Sequence, residues 1–333
     1  MRSLRLLSLA TMSRSWILCL ILLSLGCYPQ LAGAVTVNDL YVATVRVADR
    51  SAVAREQAVG EALAVVLTKL SGQRALALRV PTSQTETSRL VQRVGYVSGG
   101  QLEVGFDPER INSLLDQFGM PYWDRIRPSV LIVFPVALQG LQEVRVITEL
   151  AARDRGLPIL WAGTESSENF ASKGLAQIQA LGAQYVAGAV LLARLAVTAQ
   201  GANSALGTIR WQLLFDGNSQ EWNGSPEEGI AFAAEQLSRF YAVSGKQVSS
   251  SLLEVTGVND LQAYGQITND LSNLLTVKRI SVQGLQGDVL RMQLEVRGSQ
   301  TTLRRLLAVD KRFVELESAP SRAADLLRYR YNH

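Results

Sequence analysis

Segments that alternate apolar and polar residues are separated along this chain by segments whose apolar residues recur every three or four positions, so strands and helices interleave. Tyr41, Ala43, Val45 and Val47 share one face of a half-buried strand, with Thr44 and Arg46 on the other. Ser51 then stands where a helix cap belongs, Val59, Leu63, Val66 and Leu70 follow at helical spacing, and Gly72 is placed to end the helix in a left-handed turn. Val91 to Val97 and Gln101 to Phe106 read as a hairpin closed by Ser98-Gly99-Gly100, with Leu102, Val104 and Phe106 on the inner face. Asp107-Pro108 opens a helix carrying Ile111, Leu114, Leu115 and Phe118 inward, and Val130 to Val136 is apolar on both faces, the mark of a central, covered strand. The order is βαββαβ, the split pattern of a ferredoxin-like sandwich.

The same order returns near the C-terminus. Val248 to Val255 is a strand, Asn259 or Asp260 caps a helix with Leu261, Tyr264, Ile267, Leu271 and Leu274, and Val277 to Val282 leads through Gly284 and Gly287 into the clean alternation of Val289 to Arg297. A short helix from Ser299 and a strand near Phe313 to Leu316 complete it. Between the two lies an α/β stretch: a helix over Leu141 to Arg155, a short strand Ile159 to Trp161, a helix Leu175 to Leu181 stopped by Gly182, a buried strand Tyr185 to Leu195, a strand with Ile209, Trp211, Leu213 and Phe215 on one face, and loops at Gly201 to Gly207 and Asp216 to Ser219. Ser225-Pro226-Glu227-Glu228 is a capping box opening a helix with Ile230, Ala234, Leu237 and Tyr241 on its core side. The expected fold is α+β, two ferredoxin-like βαββαβ modules (35–137 and 246–318) flanking a middle α/β domain (138–245), after a leader (1–34) and before a basic tail (319–333).

The leader changes what the composition means. Arg2, Arg5 and Arg14 precede the apolar run Trp16 to Leu25, and Ala32-Gly33-Ala34 fits a signal peptidase, which puts the mature start at Val35 and the protein in the periplasm. Ser24-Leu25-Gly26-Cys27 loosely resembles a lipoprotein box, the alternative in which Cys27 is acylated and holds the chain on a membrane. Both cysteines, Cys19 and Cys27, lie in this leader, so the mature chain carries no thiol and forms no disulfide. The 33 Lys and Arg against 29 Asp and Glu lose three arginines with the leader, which brings the mature chain close to neutrality and removes the compositional support for nucleic-acid binding.

Several stretches resemble a known group. The leader, Val37-Asn38-Asp39-Leu40-Tyr41, the helix ending Leu70-Ser71-Gly72 and the block Val130-Leu131-Ile132-Val133-Phe134-Pro135 are similar to an uncharacterised exported family of proteobacteria, the domain of unknown function DUF2066. That resemblance implies an envelope address and carries over no catalytic residue. Gly182-Ala183-Gln184-Tyr185-Val186 with Trp222-Asn223-Gly224 and its capped helix is similar in pattern to the α/β domains of TolB-like and curli-secretion envelope proteins.

Reactive groups are sparse. The one histidine, His333, is the last residue, which leaves a serine or cysteine triad without its imidazole and zinc without its usual ligands. Ser244-Gly245-Lys246 lacks the upstream glycine of a phosphate loop, and no cofactor is implied. Glu165, Glu168, Asp216, Glu221, Glu227 and Glu228 gather near middle-domain loops, where an acid/base pair acting on sugar-containing material is one reading, and capping by Glu227 and Glu228 with solvated neighbours is the other. Pro121-Tyr122-Trp123-Asp124-Arg125-Ile126-Arg127-Pro128 combines aromatic and guanidinium groups between prolines, a composition that suits a contact surface through Tyr122, Trp123, Arg125 and Arg127, or an aromatic lid on the first core. The tail offers Arg322, Arg328, Arg330 and Tyr331 to an acidic partner, anionic lipid or cell-wall polymer, or else is a frayed helix end. The expected function is therefore that of a non-enzymatic envelope protein that binds another protein or cell-wall material through sheet edges and loops. The alternative is a carboxylate-dependent hydrolase or binder using Asp216 and Glu221.

Overall fold

The computed structural model describes residues 34–80, 83–135, 142–163, 174–195, 209–244, 247–310, 312–316 and 326–332. The leader with Cys19 and Cys27, Glu165, Glu168, Arg322 and His333 lie outside them. Contacts divide the chain between Leu31 and Ala32, with no further division near 137 or 245. The fold is α+β, and among the described residues no helix is long and apolar enough to cross a membrane.

The first layer begins with β1 (Ala34–Thr36) and β2 (Val42–Arg46) and the long helix α1 (Ala52–Ser71). Ser51 Oγ accepts from the Ala54 N–H at 3.2 Å to start α1, and Gly72, at φ 70°, ends it as its position predicts. Two helices unforeseen in the pattern follow, α2 (Arg74–Ala77) and α3 (Gln84–Leu90), the latter opened by a capping box between Ser83 and Glu86. Then come β3 (Val91–Val97), β4 (Gln101–Phe106) and α4 (Pro108–Phe118), the last capped by Asp107. Among the described residues the sheet has three strands, ordered β2-β4-β3 and antiparallel throughout. Leu102, Val104 and Phe106 of its central strand are buried against Leu63, Val66, Leu67 and Leu70 of α1 and Ile111 and Leu115 of α4. Phe118, expected inward, is exposed at the end of α4.

The strand that should have completed this sheet leaves it. After β5 (Pro121–Tyr122) and β6 (Ile126–Pro128), the run β7 (Val130–Val133) enters a second sheet instead. The reason lies in its own pattern: β7 is apolar on both faces and needs cover on both, which a sheet with helices on one side does not offer. The second sheet is built with α5 (Gln142–Asp154), β8 (Ile159–Trp161), α6 (Leu175–Gln184), β9 (Ala189–Leu195), β10 (Ile209–Phe215), β11 (Asn218–Gly224) and α7 (Pro226–Tyr241), in the strand order β11-β10-β9-β7-β8. Val130 and Ile132 of β7 face α5 and α7, whereas Leu131 and Val133 face α6. Gly182 does not stop α6. A Cβ there would lie 2.7 Å from Val190 Cγ2, so the glycine serves the close approach of helix to sheet. The stretch expected as a loop around Asp216 is a two-residue hairpin turn, with Asp216 and Gly217 at φ 46° and 73° joining β10 to the unforeseen β11.

The third sheet follows the short β12 (Val243–Ser244). It consists of β13 (Val248–Thr256), α8 (Leu261–Ser272), β14 (Val277–Gln286), β15 (Val289–Arg297), α9 (Gln300–Val309), β16 (Phe313–Glu315) and β17 (Leu326–Tyr331), ordered β14-β15-β13-β17-β16. The first three strands match the split pattern. The supposed tail supplies β17, which inserts between β13 and β16 and runs parallel to β13. Its alternation explains why: Leu327, Tyr329 and Tyr331 enter the core with Leu253, Val255 and Phe313, while Arg328 and Arg330 take the other face.

Candidate functional site

The Pro121–Pro128 segment, expected either as a contact surface or as an aromatic lid on the first core, runs through the interior where the three sheets meet. Tyr122, Trp123 and Arg127 are at most 1 % exposed, which removes them as surface contacts. The Trp123 N–H donates to Leu70 O at the end of α1 (2.6 Å), and the Tyr122 hydroxyl donates to Asn112 O of α4 (2.6 Å). Arg127 spends all five of its N–H donors on backbone carbonyls: Asp124 O from Nε (2.8 Å), Arg155 O and Gly156 O from Nη1 (3.2 and 2.7 Å), and Lys69 O and Trp123 O from Nη2 (2.7 and 3.0 Å). Its guanidinium also stacks 4.0 Å over the Trp123 ring. Burial lowers Arg127 to about 9, opposed by the charges of Asp124 and Asp39, so the group remains cationic at neutral pH.

Asp124 ties in the third sheet. Its Oδ2 accepts from the Thr276 N–H and hydroxyl (3.0 and 3.2 Å), and its Oδ1 from the Arg125 N–H (2.7 Å). Burial pushes its carboxyl up from the ordinary range, against those hydrogen bonds and Arg127. One short segment thus clamps α1, the loop after α5 and the start of β14, and its composition reflects clamping. Of the four residues named from sequence here, only Arg125 reaches solvent, 3.5 Å from Asn38 Oδ1.

The tail residues are likewise structural in placement. Arg328 Nε donates to Glu254 Oε2 (3.0 Å) and Arg291 Nε to Glu254 Oε1 (2.9 Å), across neighbouring strands. The hydrogen bond from Arg291, together with the Arg291 and Arg328 charges, holds Glu254 below the usual carboxylate range. Tyr331 is buried and its hydroxyl donates to Asp270 Oδ2 (2.6 Å); burial pushes it up to about 12. Arg330 is exposed on the open face of the sheet. In the middle sheet, Asp216 is the turn residue of its hairpin, Glu221 faces Gln212 across the strands, Glu227 accepts from Ser225 Oγ (2.8 Å) and Glu228 accepts from the Ser225 N–H (2.8 Å). Among the described residues no three His, Cys, Asp or Glu side chains gather closely enough to hold a metal ion.

A concave site does exist, at a place the sequence reading passed over. A groove of about 660 Å³ runs between the first half of α1, α3 and the inner side of β3. Ala52, Arg55, Glu56, Val59 and Gly60 form its helix wall at spacings of three and four; Val91, Val94 and Tyr96 form its strand wall. Ala58, Val59 and Leu63 of α1 are buried in the first core, and among the described residues the sheet beneath ends at β3. A Cβ at Gly60 would meet nothing within 4 Å, so the glycine leaves room in the wall. Arg50 lies 5.0 Å over the Tyr96 ring at one end, and with Arg55 it outweighs Glu56, the one carboxylate of the lining. A glycine inside a helix that packs against nothing was the available signal, since it costs helix stability and calls for a reason.

Comparison with known proteins adds one match. A family model described as a domain of unknown function, DUF8605, matches residues 34–124. No curated protein and no solved structure matches the chain. The resemblance to DUF2066 is thereby overturned: that family is not found, and the one that matches is a different domain of unknown function. The matched stretch comprises the entire three-stranded layer and every residue lining the groove.

Proposed function

We propose that this protein is an exported, non-enzymatic interaction module of the cell envelope, binding another envelope protein or cell-wall polymer through its first layer. The observation that carries the reading is the groove beneath β3, an open concavity of mixed polar and apolar lining that carries two guanidinium groups, beside a strand that among the described residues pairs on one side only. The basic start, the apolar run and Ala32-Gly33-Ala34 of the leader support its removal after Ala34 in the periplasm. Acylation at Cys27 is the alternative export form, and mass spectrometry of the mature N-terminus distinguishes the two.

The test is photo-crosslinking in intact cells, with the reactive amino acid placed at Val97 on β3, Glu221 on β11 or Val282 on β14. A discrete adduct that forms only on irradiation, from at least one edge, is the expected result. Absence of an adduct from all three, or turnover of a substrate by the purified chain that a double Asp216→Asn, Glu221→Gln substitution abolishes, overturns the reading.

A further inference from the structure

We infer that the β3 edge accepts an extended polypeptide segment as a fourth strand of the first sheet, one whose inward side chains are apolar and which carries an acidic group to Arg50 and Arg55. This rests on the interaction-module reading and gives it a site and a partner chemistry.

Three features of the first layer converge on it. First, β3 is the terminal strand of its sheet among the described residues, and in an antiparallel pair every second residue directs its N–H and C=O away from the partner, so its seven residues present a row of backbone donors and acceptors that no described strand pairs. Its side chains are correspondingly open, with Tyr96 and Val97 40 % and 41 % exposed. Second, the groove lies along the inner side of this edge strand, with Val59 and Gly60 of α1 in its opposite wall. A strand added to β3 places alternate side chains over Val59 and Gly60, and the room at Gly60 accommodates a branched apolar group. Third, the rim charge is selective: Arg50 and Arg55 against Glu56 favour an acidic segment over a basic one.

Among the other edges, β14, β8 and β11 are less receptive. The outer strand of the third sheet, β14, carries two register irregularities, after Val277 and after Val282, and begins with Lys278 and Arg279; bulges and edge cations both discourage strand addition. In the middle sheet β8 is only three residues long and β11 is polar apart from Trp222. β3 does carry one irregularity, between Val91 and Arg93, which leaves Val94 to Val97 regularly paired beside the groove.

The experiment uses the secreted chain as bait for a phage-displayed library of random linear peptides, with Gly60→Leu as the matched bait. Gly60 is exposed and its Cβ direction is empty, so leucine there fills the groove while favouring the helix; unchanged circular dichroism and a melting temperature no lower than wild type confirm that the fold persists. Clones enriched on wild type and not on Gly60→Leu are expected to alternate apolar residues and to contain Asp or Glu. The synthesised winner is expected to bind about tenfold more weakly to Arg55→Glu and to Gly60→Leu, and to slow amide hydrogen exchange in Val94 to Val97. Equal enrichment on both baits, basic winners, or unchanged exchange in β3 overturns the inference. So does a concentration-dependent dimer of the wild type that Gly60→Leu abolishes, because the occupant is then a second copy. In-cell adducts from Val282 or Glu221 with none from Val97 overturn this inference while leaving the interaction-module reading standing.

Discussion

Arg127 offers the sharpest test of how this molecule holds together. Replacing it with methionine keeps most of the stem that lies along Trp123 and removes the guanidinium, so the carbonyls of Lys69, Trp123, Asp124, Arg155 and Gly156 all lose a donor inside the protein. A buried acceptor left without its partner costs about 1–3 kcal/mol, and the low end applies where small backbone shifts or water replace the lost donor. Five of them come to about 5 kcal/mol, less about 1 kcal/mol for the apolar surface that methionine buries. The expected loss is about 4 kcal/mol, within the 3–5 kcal/mol typical of breaking a buried charged network and a large share of the stability of an ordinary fold. With a urea slope of about 3 kcal/mol/M, the midpoint should fall by about 1.3 M. Urea unfolding followed by tryptophan fluorescence reads this directly, because the guanidinium stacks on Trp123. Arg127→Lys keeps the charge but offers three donors, and should lose about 2 kcal/mol. Arg125→Ala, two positions earlier and facing solvent, should stay within about 0.5 kcal/mol. A midpoint for Arg127→Met within about 0.3 M of wild type, or equal shifts at 125 and 127, would refute the clamp.

Two glycine substitutions should move stability in opposite directions by differential scanning calorimetry. Gly60→Ala gains about 0.5–1 kcal/mol because its Cβ meets nothing, whereas Gly229→Ala loses about 2 kcal/mol or more because its Cβ would sit 2.2 Å from the rigid Trp211 indole. Glu254, whose carboxyl is held low by Arg291 and Arg328, contributes stability that is present above its unfolded value near 4.3 and lost as pH falls through the folded one. Melting temperature measured from pH 5 to 2.5 should therefore drop less steeply in Glu254→Gln than in wild type. Ending the chain before Leu326 should unfold the third sheet, seen as lost β signal in circular dichroism, since β17 lies between two other strands; full retention of structure would restore the picture of a dispensable tail.

Local features were legible where the signal is local. Ser51, Asp107, Ser225 and Ser299 each cap the helix they were expected to open, and of Asn259 and Asp260 it is Asp260 that caps the next, because a cap joins residues two or three apart. The hairpin at Ser98-Gly99-Gly100 and the strand Val289–Arg297 fall where the pattern puts them. The β11 strand was missed although Asp216-Gly217 is a strong two-residue turn signal, because its polar residues hide the alternation. The groove was missed because a cavity is made by what does not arrive, here a fourth strand, and periodicity says nothing about that.

The amino-acid order by itself determined most of the helices and strands and most of the side chains that turn inward, since both depend on neighbours one turn or two positions away. Only the tertiary structure decided which sheet each strand joins. The split pattern assigns Val130–Val133 to the first layer, but a strand apolar on both faces is most stable where helices cover both, and that place is the middle sheet. The same competition for burial drew Leu326–Tyr331 into the third sheet. Arg127 shows the limit most plainly: guanidinium between prolines reads as surface until carbonyls from residues 69 and 156, far away along the chain, converge on it. Backbone acceptors leave no mark in sequence, so only the folded chain shows that they meet there.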